Sequence, residues 1–217
     1  MRNLISLIAI ILLFGLAANA AAEAGRGMIN LVNMIPGNSR CMVKIDGVKL
    51  LPDGMMAGAE TGWFLLPAGE KNLEFEHEGA RDLSVGLTLE EGEGIVLAIY
   101  LEFSRQRKKD GKLAAPMIRM KRFPVYDNEE SCMKAVSLCK SEKIFEIGGG
   151  DFVLQPADIV ELPKWAGAGF HIKYKGRAVG EIRHNRQRSN YYVFIAPAGH
   201  GNYFAAKANC DQLGFRR

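Results

Sequence analysis

The sequence lacks the markers of several protein classes. Its 217 residues include only four cysteines, four histidines and two tryptophans, and no long stretch rich in Ala, Leu, Glu and Lys follows the N-terminal segment. The absence of such a helix-forming stretch, together with 24 glycines and 8 prolines, disfavours an all-helical protein. A formal net charge of +4 is too small to indicate nucleic-acid binding. The composition, 48% hydrophobic and 24% charged, is typical of a globular chain and excludes collagen, disorder and coiled coil.

Motifs of common exported enzymes and cofactor proteins are also missing. The sequence contains neither a Gly-x-Ser-x-Gly elbow nor a His-Glu-x-x-His pair. The run Gly148-Gly149-Gly150-Asp151 lacks the Lys-Ser or Lys-Thr of a phosphate loop, and no two cysteines have the short spacing of a structural zinc site. We therefore predict no catalytic residues, no metal site and no cofactor.

The N-terminus has the organisation of a secretory signal peptide. Arg2 precedes an apolar run from Leu4 to Leu16, and small residues follow. The run is too short for a comfortable transmembrane helix, which needs about 20 apolar residues. We expect cleavage after Ala20, with Ala22 and Ala24 as alternatives, and a periplasmic or secreted protein without a transmembrane span after cleavage.

Export changes the interpretation of the four cysteines, because an oxidising compartment favours disulfides. The set is even, and the sequence favours a pairing of Cys132 with Cys139 and of Cys41 with Cys210. A straight helix over 132 to 139 would forbid the first pair, because its ends would be about 10 Å apart. The alternative is four buried thiols.

Short apolar runs interrupted by Gly, Pro, Asn and Asp predict an all-β chain. Alternating apolar residues from Leu83 to Leu89 predict a half-buried strand, and the nearly continuous apolar run from Ile95 to Phe103 predicts a central one. A further strand is predicted from Met117 to Phe123. Between the last two, the basic segment from Arg105 to Lys112 is predicted to form a solvated hairpin tip.

One helix is predicted, from Glu129 to Lys140, with Asp127 or Asn128 as its N-cap. We interpret it as a connector between two tandem antiparallel β-sandwich modules. The predicted organisation is a signal peptide over 1–20, a first sandwich over 28–125, a connector over 126–142 and a second, shorter sandwich over 143–217.

An internal repeat supports two modules. Residues 42–76 align with residues 171–207 at an offset of 129 to 130. Each segment contains a strand, a turn with Gly, an aromatic strand, a Pro-Ala-Gly turn and another strand. The alignment predicts that the two segments superpose with the same strand order.

The turn motifs also carry a family resemblance. The matching residues are Ile45-Asp46-Gly47 and Leu66-Pro67-Ala68-Gly69 in the first segment, and Tyr174-Lys175-Gly176 and Ala196-Pro197-Ala198-Gly199 in the second. In these the chain resembles the PEGA-type module, and the group of unknown function similar to the alginate O-acetylation accessory protein. The resemblance covers about half of the chain, and residues 126–170 depart from both patterns. It implies an envelope location and a non-catalytic role in binding or scaffolding.

The candidate ligand contacts are basic and aromatic. Arg183, Arg186 and Arg188 precede an aromatic strand and form a candidate anion site. A second basic group contains Arg119, Lys121 and Arg122. For both groups the alternative is a solvated surface.

Trp63, Tyr191 and Tyr192 suit either stacking on sugars or packing in the core. His200 lies in a Gly-flanked turn, and its counterpart in the repeat is Glu70, so we interpret it as a tolerated turn residue. The sequence as a whole predicts an exported, non-catalytic envelope protein that binds an envelope protein or an anionic polysaccharide. An exported enzyme acting on carbohydrate is the alternative.

Overall fold

A computed structural model describes residues 25–104, 113–125, 132–163, 169–183 and 190–210. The described residues form sixteen β-strands. In chain order the strands are β1 (Arg26–Asn33), β2 (Met42–Ile45), β3 (Val48–Lys49), β4 (Glu60–Pro67), β5 (Gly69–Glu76), β6 (Leu83–Leu89), β7 (Gly94–Glu102), β8 (Met117–Pro124), β9 (Met133–Ser137), β10 (Lys143–Ile147), β11 (Gly150–Leu154), β12 (Ile159–Leu162), β13 (Gly169–Tyr174), β14 (Arg177–Arg183), β15 (Tyr191–Gly199) and β16 (Asn202–Asn209). Among these residues no helix is long and apolar enough to cross a membrane.

The strands form four sheets, two in each of two tandem β-sandwich modules, as predicted. The first module has the sheet orders β4-β1-β7-β8 and β3-β2-β5-β6, and the second has β12-β9-β15-β16 and β11-β10-β13-β14. Adding eight to every strand number in the sheet orders of the first module gives the sheet orders of the second module. The chain is therefore an internal duplication of one eight-stranded unit.

Neighbouring strands are antiparallel, except that each module contains one parallel pair. β1 pairs in parallel with β7, and β9 pairs in parallel with β15. All of β1 beyond its first residue is buried, as are the first six residues of β15. Burial on both faces explains why the run from Ile95 is nearly continuously apolar, and the predicted central strand is confirmed as β7.

The predicted connecting helix is wrong. Residues 133–137 form β9, an inner strand that pairs with β12 on one side and β15 on the other. Its sequence, Met-Lys-Ala-Val-Ser, is compatible with a helix locally. Tertiary pairing overrides that preference, because both edges of β9 form ladders with strands distant in sequence. The predicted N-cap residues lie outside the described residues.

The predicted repeat alignment is also wrong in register. In the first segment β4 and β5 belong to different sheets, whereas the corresponding β15 and β16 of the second segment pair with each other. The turn motifs led to the wrong alignment because two-residue turns with positive φ at both positions occur at several hairpins. A turn by itself therefore does not identify which hairpins of the two modules correspond. Asp46-Gly47 resembles Lys175-Gly176 in conformation, yet its structural equivalent is Gly148-Gly149, which joins β10 to β11.

The described residues form three apolar cores. One lies between the sheets of the first module, and another lies between the sheets of the second. The third lies between the modules, where the β4-β1-β7-β8 sheet packs on the β12-β9-β15-β16 sheet through residues such as Val96, Phe123, Tyr192 and Phe194. The molecule is thus a stack of four sheets with the parallel pairs in the two middle layers.

Candidate functional site

The structure describes only one of the three arginines of the predicted anion site. Arg183 lies at the end of β14, is exposed, and donates from Nε to Glu181 Oε1 at 2.8 Å. This bond lowers the pKa of Glu181 and raises that of Arg183. Arg186 and Arg188 lie outside the described residues. The predicted site therefore stays a prediction.

All four cysteines are buried thiols, and neither predicted disulfide is present among them. Cys132 and Cys139 lie on either side of the extended β9, whose five residues alone span about 13 Å, so the two cysteines are beyond disulfide reach. Cys41 belongs to the core of the first module, whereas Cys210 belongs to the core between the modules. Burial raises the pKa of Cys41 to about 12 and also raises that of Cys139, which makes both thiols unreactive.

The aromatic residues considered for sugar stacking have structural roles. Tyr191 and Tyr192 are buried, and Trp63 packs against the core between the modules. The hydroxyl of Tyr192 donates to the carbonyl of Pro124 in the first module at 2.9 Å. In the second basic group, Arg122 pairs with Glu93, and Arg119 pairs with Glu102.

A cleft of about 330 Å³ opens where the two modules meet; we call it the junction cleft. Three segments form it, namely the end of β7, the segment after β9 and the β15–β16 turn. Its lining residues are Tyr100, Leu101, Glu102, Phe103, Leu138, Cys139, Lys140, Ser141, Lys143, Pro197, Gly199, His200, Gly201, Asn202 and Tyr203.

Strand alternation explains how β7 contributes to the junction cleft. Ile99 and Leu101 point into the core of the first module. Val96 and Ala98 point the other way, into the core between the modules. Successive side chains of a strand alternate between its two faces. Tyr100 and Glu102 therefore continue the face of Val96 and Ala98 to the point where that core opens to solvent.

Glu102 is the centre of an ion network at the junction cleft. Its Oε2 accepts from Arg119 Nε at 2.7 Å, and its Oε1 lies 2.9 Å from Lys140 Nζ. Arg119 belongs to the first module, whereas Lys140 follows β9 of the second. Hydrogen bonds from Arg119 and from Lys140 lower the pKa of Glu102. The carboxylate therefore stays ionised at neutral pH and ties the two modules together.

Three aromatic side chains line the same cleft. Phe103 is 37% exposed, and its ring lies close to the backbone of Gly199, where an added β-carbon would be 3.3 Å away. Tyr203 packs edge-on against Tyr174, with ring centroids 4.6 Å apart. Burial raises the pKa of Tyr203 to about 12, and burial also raises the pKa of Tyr100. Both hydroxyls are therefore protonated at neutral pH.

His200 is placed at the cleft by turn geometry. His200 and Gly201 have φ values of 50° and 77° and join β15 to β16 in a two-residue turn. Positive φ at both positions is the requirement of a type I′ hairpin. The Gly-flanked turn is evident from the sequence, but a role for His200 is not, because its proximity to β7 depends on packing between the modules.

A second concavity of about 510 Å³ lies beside the junction cleft; we call it the hollow. Its lining residues are Glu142, Lys143, Ile144, Glu146, Asp151, Tyr174, Lys175 and Gly176. Lys143 lines both concavities. Its Nζ donates to the carbonyl of Glu142 at 2.9 Å and to the hydroxyl of Ser141.

The donor chemistry of these concavities suits a polar organic ligand. Within the described ranges, no group of three or more His, Cys, Asp or Glu side chains is arranged to hold a metal ion. The junction cleft combines aromatic rings, an ionised carboxylate, two ammonium groups and an imidazole. Such a mixture can stack on an apolar face and can also form directional hydrogen bonds.

No family model and no curated protein matches the sequence. Among solved structures the chain is similar to a carbohydrate-binding module of family CBM26 from Eubacterium rectale Amy13K, solved in complex with maltoheptaose. The similarity covers 84% of this chain and 97% of that chain, at 12% sequence identity and a TM-score of 0.23. A similarity this distant carries no argument about the ligand.

Proposed function

We propose that this protein is an exported, non-catalytic binding protein of the bacterial envelope, periplasmic or secreted, whose ligand is an anionic polysaccharide. The signal-peptide pattern up to Ala20 supports export, and the resemblance of the turn motifs to envelope modules supports the location. The junction cleft is the proposed binding site.

One observation carries the binding role: the junction cleft is built by both modules and is lined by aromatic and charged groups together. Ligand sites often lie where two domains meet, with a few polar groups placed among apolar ones. The rings of Phe103 and Tyr203 offer surfaces for the C–H faces of a sugar. Lys140 and Lys143 offer ammonium donors to its hydroxyl or carboxylate oxygens.

The electrostatics of the cleft favour binding over hydrolysis. Glycosidases use two carboxyl groups, one of which is a general acid with a raised pKa. Glu102 is the one carboxylate among the cleft's lining residues, and its cation partners lower its pKa instead. It can accept hydrogen bonds from a ligand, but it is a poor proton donor at neutral pH.

The charge of the cleft favours an anionic ligand. Lys140, Lys143 and the adjacent Arg119 surround the single carboxylate of Glu102, so positive charge is in excess. Exposed ion pairs are each worth about 1 kcal/mol or less. Affinity therefore requires several contacts together and decreases as salt rises.

Binding is tested by calorimetry on residues 21–217 with sodium polygalacturonate, and with amylose as the uncharged polysaccharide. We expect binding of the acidic polymer that weakens with salt. Phe103→Ala and Lys140→Gln should each weaken it about tenfold, whereas Lys49→Gln, on the exposed β3, should leave it unchanged. Equal affinity of all three variants would reject the junction cleft as the site.

Three further measurements address the other parts of the proposal. The triple variant Arg183→Ala, Arg186→Ala and Arg188→Ala tests the anion site predicted from sequence, and weaker binding by this variant alone would move the site to those arginines.

Release of reducing ends by the wild-type protein, lost in Glu102→Gln, would establish an exported enzyme acting on carbohydrate instead. Fractionation of expressing cells, with mass spectrometry of the mature N-terminus, tests export and cleavage after Ala20.

A further inference from the structure

We infer that the junction cleft and the hollow form one continuous path for an oligosaccharide, with an acidic residue bound in the cleft and an uncharged residue bound in the hollow. This inference rests on the proposed function and specifies the ligand of that same site. Its basis is the adjacency of the two concavities and the difference in their charge.

The two concavities share a wall. Lys143 lines both of them, so one ammonium group faces both. Tyr203 lines the cleft and Tyr174 lines the hollow, and their rings are in edge-to-face contact at 4.6 Å. We therefore place the ligand so that it passes from the cleft into the hollow beside Lys143.

The charges of the two concavities differ. The cleft has two lysines around one carboxylate, so positive charge is in excess. The hollow has three carboxylates, those of Glu142, Glu146 and Asp151, and two lysines, Lys143 and Lys175. Lys173 pairs with Glu146 at 2.7 Å, so three lysines balance three carboxylates and the hollow is close to neutral. An acidic sugar is attracted to the cleft but meets no excess of positive charge in the hollow, so a polymer with an acid at every residue fits the path poorly.

Apolar surface at the hollow is exposed among the described residues. Ile144 lines the hollow and is 54% exposed. Val153 lies directly opposite it on β11 and is 52% exposed. Ile144 and Val153 share the outer face of the sheet with Glu146 and Asp151, so apolar surface lies beside hydrogen-bonding carboxylates, which suits an uncharged sugar with a C–H face and hydroxyl groups.

Three hexasaccharides test the charge arrangement by calorimetry at one salt concentration. Hyaluronan hexasaccharide alternates a uronic acid with an uncharged acetamido sugar, hexagalacturonate is acidic at every residue, and maltohexaose is uncharged. We expect the alternating oligomer to bind at least about tenfold more tightly than either of the others. Tightest binding of hexagalacturonate, or equal binding of all three, would overturn the charge arrangement.

The length of the oligosaccharide and matched variants test whether the ligand occupies both the cleft and the hollow. Ile144→Ser should weaken binding of the alternating hexasaccharide about fivefold and leave the corresponding disaccharide unchanged. Lys140→Gln should weaken both ligands, and Val48→Ser, at an exposed position on β3, should change neither. Hexasaccharide and disaccharide of equal affinity, together with no effect of Ile144→Ser, would overturn this inference and leave cleft binding intact. Absence of binding by every saccharide would reject the proposed function itself.

Discussion

The two modules have the same strand order but differ in their connections. In the first module residues 77–82 join β5 to β6, and residues 103–116 join β7 to β8. In the second module the equivalent connections are the two-residue turns Lys175-Gly176 and His200-Gly201. The junction cleft and the hollow lie along these short turns. The comparison shows that strand order is set by the duplicated unit, whereas surface concavities depend on the length of its connections.

The cores of the modules differ as well. Phe75 is the aromatic residue among the buried members of the first core, which is otherwise aliphatic apart from one cysteine. The second core contains Phe145 and Phe170, with Phe152, Tyr174 and Tyr203 packed around it. Tyrosines at the edge of a core can have a ring in apolar surroundings and a hydroxyl near solvent. The second module therefore has aromatic surface available at its rim.

The largest expected effect tests whether the two modules unfold as one cooperative unit. Phe194→Ala removes a fully buried ring that lies 5.0 Å from Phe123 across the core between the modules. We expect a loss of about 3–5 kcal/mol in the free energy of unfolding, measured by urea denaturation.

Phe75→Ala, in the first module's own core, is the comparison. If the shared core makes the modules one cooperative unit, both variants shift a single transition. Two transitions, with only one of them moved by Phe75→Ala, would show that the modules unfold independently and that the shared core contributes little.

A smaller effect is expected at two equivalent polar positions, the last residues of β1 and β9. Asn33 donates to the carbonyl of Met55 at 2.9 Å and accepts from the backbone N–H of Ile35 at 3.0 Å. The hydroxyl oxygen of Ser137 accepts from the N–H of Cys139 at the longer distance of 3.3 Å. Asn33→Ala should therefore cost about 2–3 kcal/mol and Ser137→Ala about 1 kcal/mol.

The control for this pair is Ser39→Ala, whose hydroxyl forms an exposed hydrogen bond with Glu78. Its effect should be within about 0.5 kcal/mol. Equal losses for Asn33→Ala and Ser137→Ala in thermal or urea unfolding would show that the two copies depend on this position to the same extent.

The smallest effect concerns turn chemistry. Lys175 has a φ of 50°, a left-handed conformation that costs most non-glycine residues about 1–2 kcal/mol and that Asn adopts more readily. Lys175→Asn should stabilise the protein by about 0.5–1 kcal/mol, seen as a higher unfolding midpoint. Asp46→Asn is the matched control at the equally left-handed turn of the first module, and no change is expected there. A destabilising Lys175→Asn would show that the contact of Lys175 with the Tyr174 ring outweighs the backbone strain.

Individual strands were predictable because their signal is local. The alternation from Leu83 to Leu89 and the apolar run from Ile95 correspond to β6 and β7. β9 was mistaken for a helix because nothing within its five residues indicates pairing with a strand that begins 58 positions later at Tyr191. Parallel pairing leaves no turn signal in the sequence, since its partners are joined by a long crossover.

The cleft was not predictable for the same reason. Tyr100 and Glu102 were interpreted as part of a central strand, and Lys140 as the end of a helix. They come together only because β7 and β15 face each other across the core between the modules. The alternation of Val96, Ala98, Tyr100 and Glu102 on one face is a sequence signal, but it does not specify what that face meets.

The sequence by itself determined the all-β class, two tandem sandwich modules, and strands such as β6 and β7, because side-chain alternation and turn chemistry act between neighbouring residues. Only the tertiary structure decided the register of the duplication, the strand nature of residues 133–137 and the position of the junction cleft. These features depend on which surfaces exclude water together, and that choice is made between segments that are distant in the sequence.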